Sequence, residues 1–214
     1  MFPRYSYLAA ECALVFFVAP AALYFIRFEM AFRIVPLVLF IAAICGGYLV
    51  RYRGYGHREF WLPPNRGRAW TGVIVVFLPL AAALTLLAWH FMPERFFAFP
   101  RHNPRIWAVV MLLYPLLAAY PQEVFYRTFF FERYRALFPN PWTLIIVNAL
   151  SFGIGHMVYG NWLAPVISTF GGLLFAYRYQ RTGSTLVVGV EHALWGNFIF
   201  TSGYGWFFYS GAIR

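Results

Sequence analysis

Long apolar runs, separated by short loops rich in Arg, Pro, Gly and Asn, set the pattern of this 214-residue chain. They predict helices over 7–26, 34–50, 70–91, 105–131, 142–158, 162–180 and 184–201, each near the ~20 residues a membrane crossing needs. The aromatic stretch 203–211 is too short to cross alone. The first run has no small-residue cleavage site and reads as a retained helix. Pro115 and Pro121 interrupt the fourth run, where a missing backbone donor and a ring clash predict a kinked helix with freed carbonyls. Gly171 and Gly172 offer a small-residue site for close helix approach in the sixth, and Tyr and Trp crowd the predicted ends as an interfacial belt does. The expected fold is all-α: a polytopic membrane helical bundle of about seven transmembrane helices, forming one integral-membrane domain over 1–214.

Composition agrees, with 62% hydrophobic and 11% charged residues against roughly 25% charged in a soluble domain. All 17 cations are arginine and all seven acids glutamate, for a net charge of +10. The arginines are scattered through short loops and form no stripe, which argues against nucleic acid and for anionic lipid headgroups as counter-charge. Five of them fall in 51–69, with the Pro63-Pro64 break. With seven spans, ten arginines lie on the N-terminal side, Arg178 among them, and six on the other. The positive-inside rule then puts the N-terminus in the cytoplasm, and the chain in a bacterial-type inner or plasma membrane. Cys12 and Cys45 each sit within a span and read as small apolar packing residues.

The chemistry concentrates in 121–135. Glu123 and Arg127, four residues apart among apolar and aromatic neighbours, share a helix face. A charge facing lipid costs roughly 2.5–3.5 kcal/mol on insertion scales, so such residues face a protein interior or a wet cavity. In the fifth run Asn148, Phe152 and His156 are spaced by four and form one stripe, and the seventh run carries Glu191, His192 and Asn197. Polar groups from three apolar segments fit hydrolysis of a peptide bond: Glu123 takes a proton from water with help from His156, and His192 and Asn197 donate to the developing oxyanion. Arg127 orients the carboxylate and holds its charge. Glu132, Arg133 and Arg135 read as a solvated end of the fourth run, with Glu132 at the rim of the site.

These residues resemble the CAAX-protease and bacteriocin-processing (CPBP) family of intramembrane glutamic endopeptidases, whose pattern is Glu-Glu-x-x-x-Arg, Phe-x-x-x-His and His-x-x-x-Asn on successive membrane helices. The counterparts are Gln122-Glu123-Val-Phe-Tyr-Arg127, Phe152-Gly-Ile-Gly-His156 and, loosely, His192-Ala-Leu-Trp-Gly-Asn197, within a core of about 105–201. The resemblance implies a protease acting on a membrane-associated protein or peptide without metal or cofactor, with a Glu/His-activated water and a His/Asn oxyanion site. Two departures follow. The family's usual base position holds Gln122, which accepts no proton, so the role passes to Glu123, about 100° around the helix, and needs a local distortion there. An extra residue puts Asn197 about 140° from His192 on a regular helix, with Trp195 or Gly196 nearer the site. Two other readings stand: a non-catalytic binding scaffold that keeps the cavity, and a zinc protease with Glu123, His156 and His192 as ligands.

Overall fold

The computed structural model describes residues 2–30, 33–56, 60–61 and 66–208. Arg58, the Pro63-Pro64 break and Arg214 lie outside them. Among the described residues seven long helices follow the seven apolar runs: α1 (Tyr5–Leu23), α2 (Ile34–Arg53), α3 (Arg66–Phe91), α4 (Pro104–Leu137), α5 (Pro141–Gly155), α6 (Leu163–Thr182) and α7 (Thr185–Ser202). No strand occurs among the described residues. The first five are long and apolar enough to cross a membrane, α5 counted with its extension to Tyr159. The last two are 20 and 18 residues long and carry more polar side chains. The chain is an integral membrane protein built as a helical bundle.

Local chemistry sets the helix ends. The Asn140 side chain accepts from the Trp142 amide at 2.9 Å with Pro141 in the first turn of α5, and the Ser184 hydroxyl accepts from the Val187 amide at 3.3 Å at the start of α7. Both are N-caps that satisfy otherwise orphaned donors. Gly54 and Gly183 stop α2 and α6 in the left-handed conformation, with φ of 69° and 60°, which costs a glycine no Cβ clash.

The α1–α4 contact is aromatic. Phe16, fully buried, stacks on Phe125 at 4.5 Å and meets Phe130 edge-on at 4.8 Å. The charges at the end of α4 are paired and still partly exposed: Arg133 grips Glu11 of α1 through Nε and Nη2 at 2.8 and 2.7 Å, Glu132 pairs with Arg53 of α2 at 2.6 Å, and Arg135 is exposed. Glu132 therefore faces α2 and not the site. Cys12 and Cys45 are free and buried, as packing residues are.

Helices α5 and α6 pack closely along their length, and small residues allow it. A Cβ on Gly172 would sit 3.0 Å from the Ala149 Cα, and one on Gly153 would lie 2.8 Å from the Pro165 carbonyl oxygen, whereas at Gly171 it would meet only the Phe175 ring at 3.5 Å. Gly153→Val is therefore expected to cost about 1–3 kcal/mol by overpacking. Thermal unfolding of the detergent-solubilised protein should show it as a lower Tm, with Gly171→Ala leaving the Tm close to the parent value.

The central helix is α7, which touches α3, α4 and α6. It binds α6 and α3 through a charge the sequence places in a loop. Arg178 is buried and donates from Nε and Nη2 to Glu191 at 2.9 Å each, and Nη2 also donates to the Gly72 carbonyl at 2.7 Å. Arg178 thus leaves the loop count, which falls to nine arginines against six.

Candidate active site

Proline chemistry shapes α4 around Glu123. Pro115 has no N–H, so the carbonyl four residues back, at Met111, loses its helical donor. The helix opens into a π turn over Pro115–Ala119, returns to α geometry for Tyr120–Glu123, and opens again over Val124–Phe129. The short segment carrying Gln122 and Glu123 is thus bracketed by two wide turns, features often found at functional sites. A distortion of the helix beside Glu123 is thus present, of the kind that the exchange of Gln122 for Glu123 requires.

Asn197 of α7 uses the carbonyl that Pro115 frees, donating its side-chain amide to Met111 O at 3.2 Å. Asn148 of α5 likewise donates to Tyr126 O, inside the second π turn, at 2.6 Å. Both asparagines act as helix-to-helix hydrogen bonders. The extra residue after His192 turns Asn197 towards Met111 on α4, where one of its two N–H groups is used.

The Glu123 side chain is completely buried. Its Oε1 lies 2.7 Å from His192 Nδ1, and its Oε2 lies 3.2 Å from Arg127 Nε. Because a carboxylate only accepts, His192 Nδ1 is the donor, and in the neutral imidazole Nε2 is the acceptor. His156 shows the same arrangement at the C-terminal end of α5: Nδ1 donates to the Phe152 carbonyl at 2.8 Å, which leaves its Nε2 an acceptor too. The Phe152 ring lies between the two imidazoles, 4.6 Å from His156 and 5.5 Å from His192. Phe175 stacks on His192 at 4.8 Å.

Arg127 is also fully buried, with its guanidinium 4.5 Å above the Phe152 ring. None of its three nitrogens makes a well-formed hydrogen bond, and Gln122 Oε1, Asn148 Oδ1, Asn197 Oδ1 and Trp195 Nε1 are likewise buried without partners. Buried polar atoms normally have partners, so this concentration of unmet capacity around α4, α5 and α7 matches a site that takes up water or a polar ligand. The Glu123, His156 and His192 zinc arrangement is not formed: among the described residues no three His, Cys, Asp or Glu side chains group closely enough to hold a metal ion. A separate cleft of about 230 Å³ lies between α1, α2 and α4, lined by Tyr7, Leu8, Tyr48, Arg53 and Arg133, remote from Glu123 in residue composition.

The structure therefore joins Glu123 to His192, where the sequence argument paired it with His156. It keeps both imidazoles around Phe152, and it bonds the Asn197 amide to Met111 O. Tyr114 was missed. Its ring lies 6.1 Å from that of His192, and it fills the space above Gly196, where any Cβ would collide with the phenol. The one sequence signal was Gly196 itself, four residues after His192.

The resemblance drawn from the three motifs holds in an independent comparison. Residues 104–199 match the family model described as type II CAAX prenyl endopeptidase Rce1-like, and this stretch contains Gln122, Glu123, Arg127, His156, His192 and Asn197. No curated protein and no solved structure shows significant similarity to the chain.

Proposed function

From the match to CAAX-type endopeptidases, we propose that this chain is an intramembrane endopeptidase that hydrolyses a peptide bond of a membrane-associated protein or peptide by a Glu/His-activated water, without a metal. The observation that carries the reading is the 2.7 Å bond from His192 Nδ1 to Glu123, inside a buried site shared by three helices.

Water is deprotonated at His192 Nε2 while Glu123 stabilises the resulting imidazolium through Nδ1–H, and Arg127 holds that carboxylate in place. The water oxygen bonds to the carbonyl carbon, and the carbonyl π electrons move onto oxygen. When the C–N bond breaks, the electron pair leaves on nitrogen and takes a proton from the imidazolium. The products are a carboxylic acid, which ionises, and an amine, with the catalyst returned to its starting state. His156 Nε2, beside Phe152, is the second acceptor and holds the attacking water through its other O–H, with no proton passing to it. His192 thus moves from the oxyanion role to that of base, and Asn197 takes no part in the chemistry. The positive-inside count puts the N-terminus in the cytoplasm.

The test is the full chain reconstituted in liposomes with dye-quenched peptides that carry a prenylated cysteine four residues from the C-terminus, and with the unprenylated counterparts held by an acyl anchor. Cleavage by the parent that survives a strong chelator is expected, with loss on His192→Gln. Cleavage of the prenylated peptide alone assigns the CAAX substrate class, and equal cleavage of both assigns a wider one. The scaffold reading rests on Gln122, which offers no base. It wins if the parent binds both peptides, cleaves neither, and gains hydrolysis on Gln122→Glu.

A further inference from the structure

The water-activating side of this site is furnished by Glu123 and the imidazoles, but the donors expected on the oxyanion side are engaged elsewhere: His192 Nδ1–H binds Glu123, and the Asn197 amide binds Met111 O through one of its two N–H groups. On a helix the neighbour of His192 on the same face, one turn on, is residue 196. That residue is Gly196, which brings no side chain.

The vacancy is filled from another helix. A Cβ at Gly196 would collide with Tyr114 Cε1, Cζ and Oη, so the phenol end of Tyr114 occupies the slot that a side chain at 196 would take. The ring stands edge-on to His192 at 6.1 Å with an interplanar angle of 75°, braced from behind by Phe200 at 5.4 Å. Tyr159 lies 5.9 Å from His156, ring to ring. Tyr114 is also the last residue before the Pro115–Ala119 π turn, whose opening sets the direction of the helix face that carries it.

We infer that Tyr114 is a catalytic residue: its hydroxyl donates the hydrogen bond that stabilises the oxyanion of the tetrahedral intermediate, in the place where a side chain one turn after His192 would otherwise act. The inference rests on the endopeptidase reading. No proton is transferred in this role; the O–H donates to the carbonyl oxygen as it becomes negative, and the bond weakens again when the C–N bond breaks. A phenol suits the task because its O–H is a good donor on a rigid side chain of only two rotatable bonds. Gly196 then has a positive purpose, since even one methyl there would push the phenol out.

Tyr114→Phe keeps the ring over Gly196 and removes only the donor, so packing is preserved. In reconstituted liposomes, with the dye-quenched anchored peptide, kcat is expected to fall about 10²- to 10³-fold with KM unchanged, the loss typical of one oxyanion donor. A peptide phosphinate of the same sequence, a tetrahedral mimic, should lose affinity by the factor lost in kcat/KM, while a non-hydrolysable ground-state peptide binds as before. Gly196→Ala, which displaces the phenol, should reproduce the kcat loss. Unchanged kcat in Tyr114→Phe overturns the inference, as does an equal loss of affinity for the phosphinate and the ground-state peptide. If the parent binds the peptides but does not cleave them, the endopeptidase reading fails and the catalytic role of Tyr114 fails with it, whereas a parent that cleaves while Tyr114→Phe keeps its kcat overturns the role of Tyr114 alone. A parent that neither cleaves nor binds overturns both.

Discussion

Glu123→Gln removes hydrolysis of the anchored peptide, with kcat expected to fall at least ~10³-fold, within the range for loss of an acid–base group. The neutral amide keeps the size of the carboxylate and can still accept from His192 Nδ1. What it cannot do is stabilise an imidazolium by charge, so proton removal at Nε2 loses its driving force. The single variant has a second effect. Arg127 is fully buried 3.2 Å from Glu123, and removing its counter-charge leaves a bare cation inside the bundle, at a cost of about 3–5 kcal/mol. Loss of activity in Glu123→Gln alone could therefore be misread as unfolding. The double variant Glu123→Gln/Arg127→Met separates the two, because replacing both members of a buried pair by groups of similar volume is often near neutral. It is expected to unfold within a few degrees of the parent, by scanning fluorimetry in detergent, and to remain inactive. A double variant that hydrolyses the peptide would mean that Glu123 and Arg127 are only a structural ion pair and that proton removal at His192 needs no carboxylate behind it.

The seven helices could be read from the chain because lipid demands long apolar runs whose backbone bonds are satisfied internally, and because loops punctuate them with Pro, Gly and Arg. The stripe formed by Asn148, Phe152 and His156 was equally legible, since helical periodicity alone puts those positions on one face. Three features were not. A π turn has no composition of its own, so the prolines announced a distortion in α4 but not that two wide turns bracket Glu123. Side-chain spacing along α7 could show that Asn197 departs from the His192 face, but its partner is a carbonyl freed by Pro115 on a helix more than eighty residues earlier. The partnership of Tyr114 with Gly196 likewise exists only once α4 and α7 are packed together. Arg178 shows the bias of counting charges: near the end of an apolar run a cation is read as a loop residue, unless a buried carboxylate on another helix is known to face it.

That carboxylate gives the largest expected effect on stability. Glu191 is completely buried, receives two hydrogen bonds at 2.9 Å from Arg178, and sits beside His192 on α7. Arg178→Ala would leave the carboxylate without its counter-charge and the Gly72 carbonyl without the donor it gains from Nη2. A cost of about 3–5 kcal/mol is expected, as for other buried pairs broken on one side. Gly72→Val should act through the same contact from the opposite side, because a Cβ there collides with the Arg178 guanidinium. Arg178→Lys keeps the charge but cannot form the two parallel bonds, so it should lie between parent and Arg178→Ala. Arg178→Met/Glu191→Met should recover most of the loss by replacing the pair with apolar packing. Thermal unfolding of all five proteins in one detergent gives the ranking. If Arg178→Ala unfolds with the parent, Glu191 must have another partner or carry a proton, and the clasp that joins α3, α6 and α7 does not hold the bundle together.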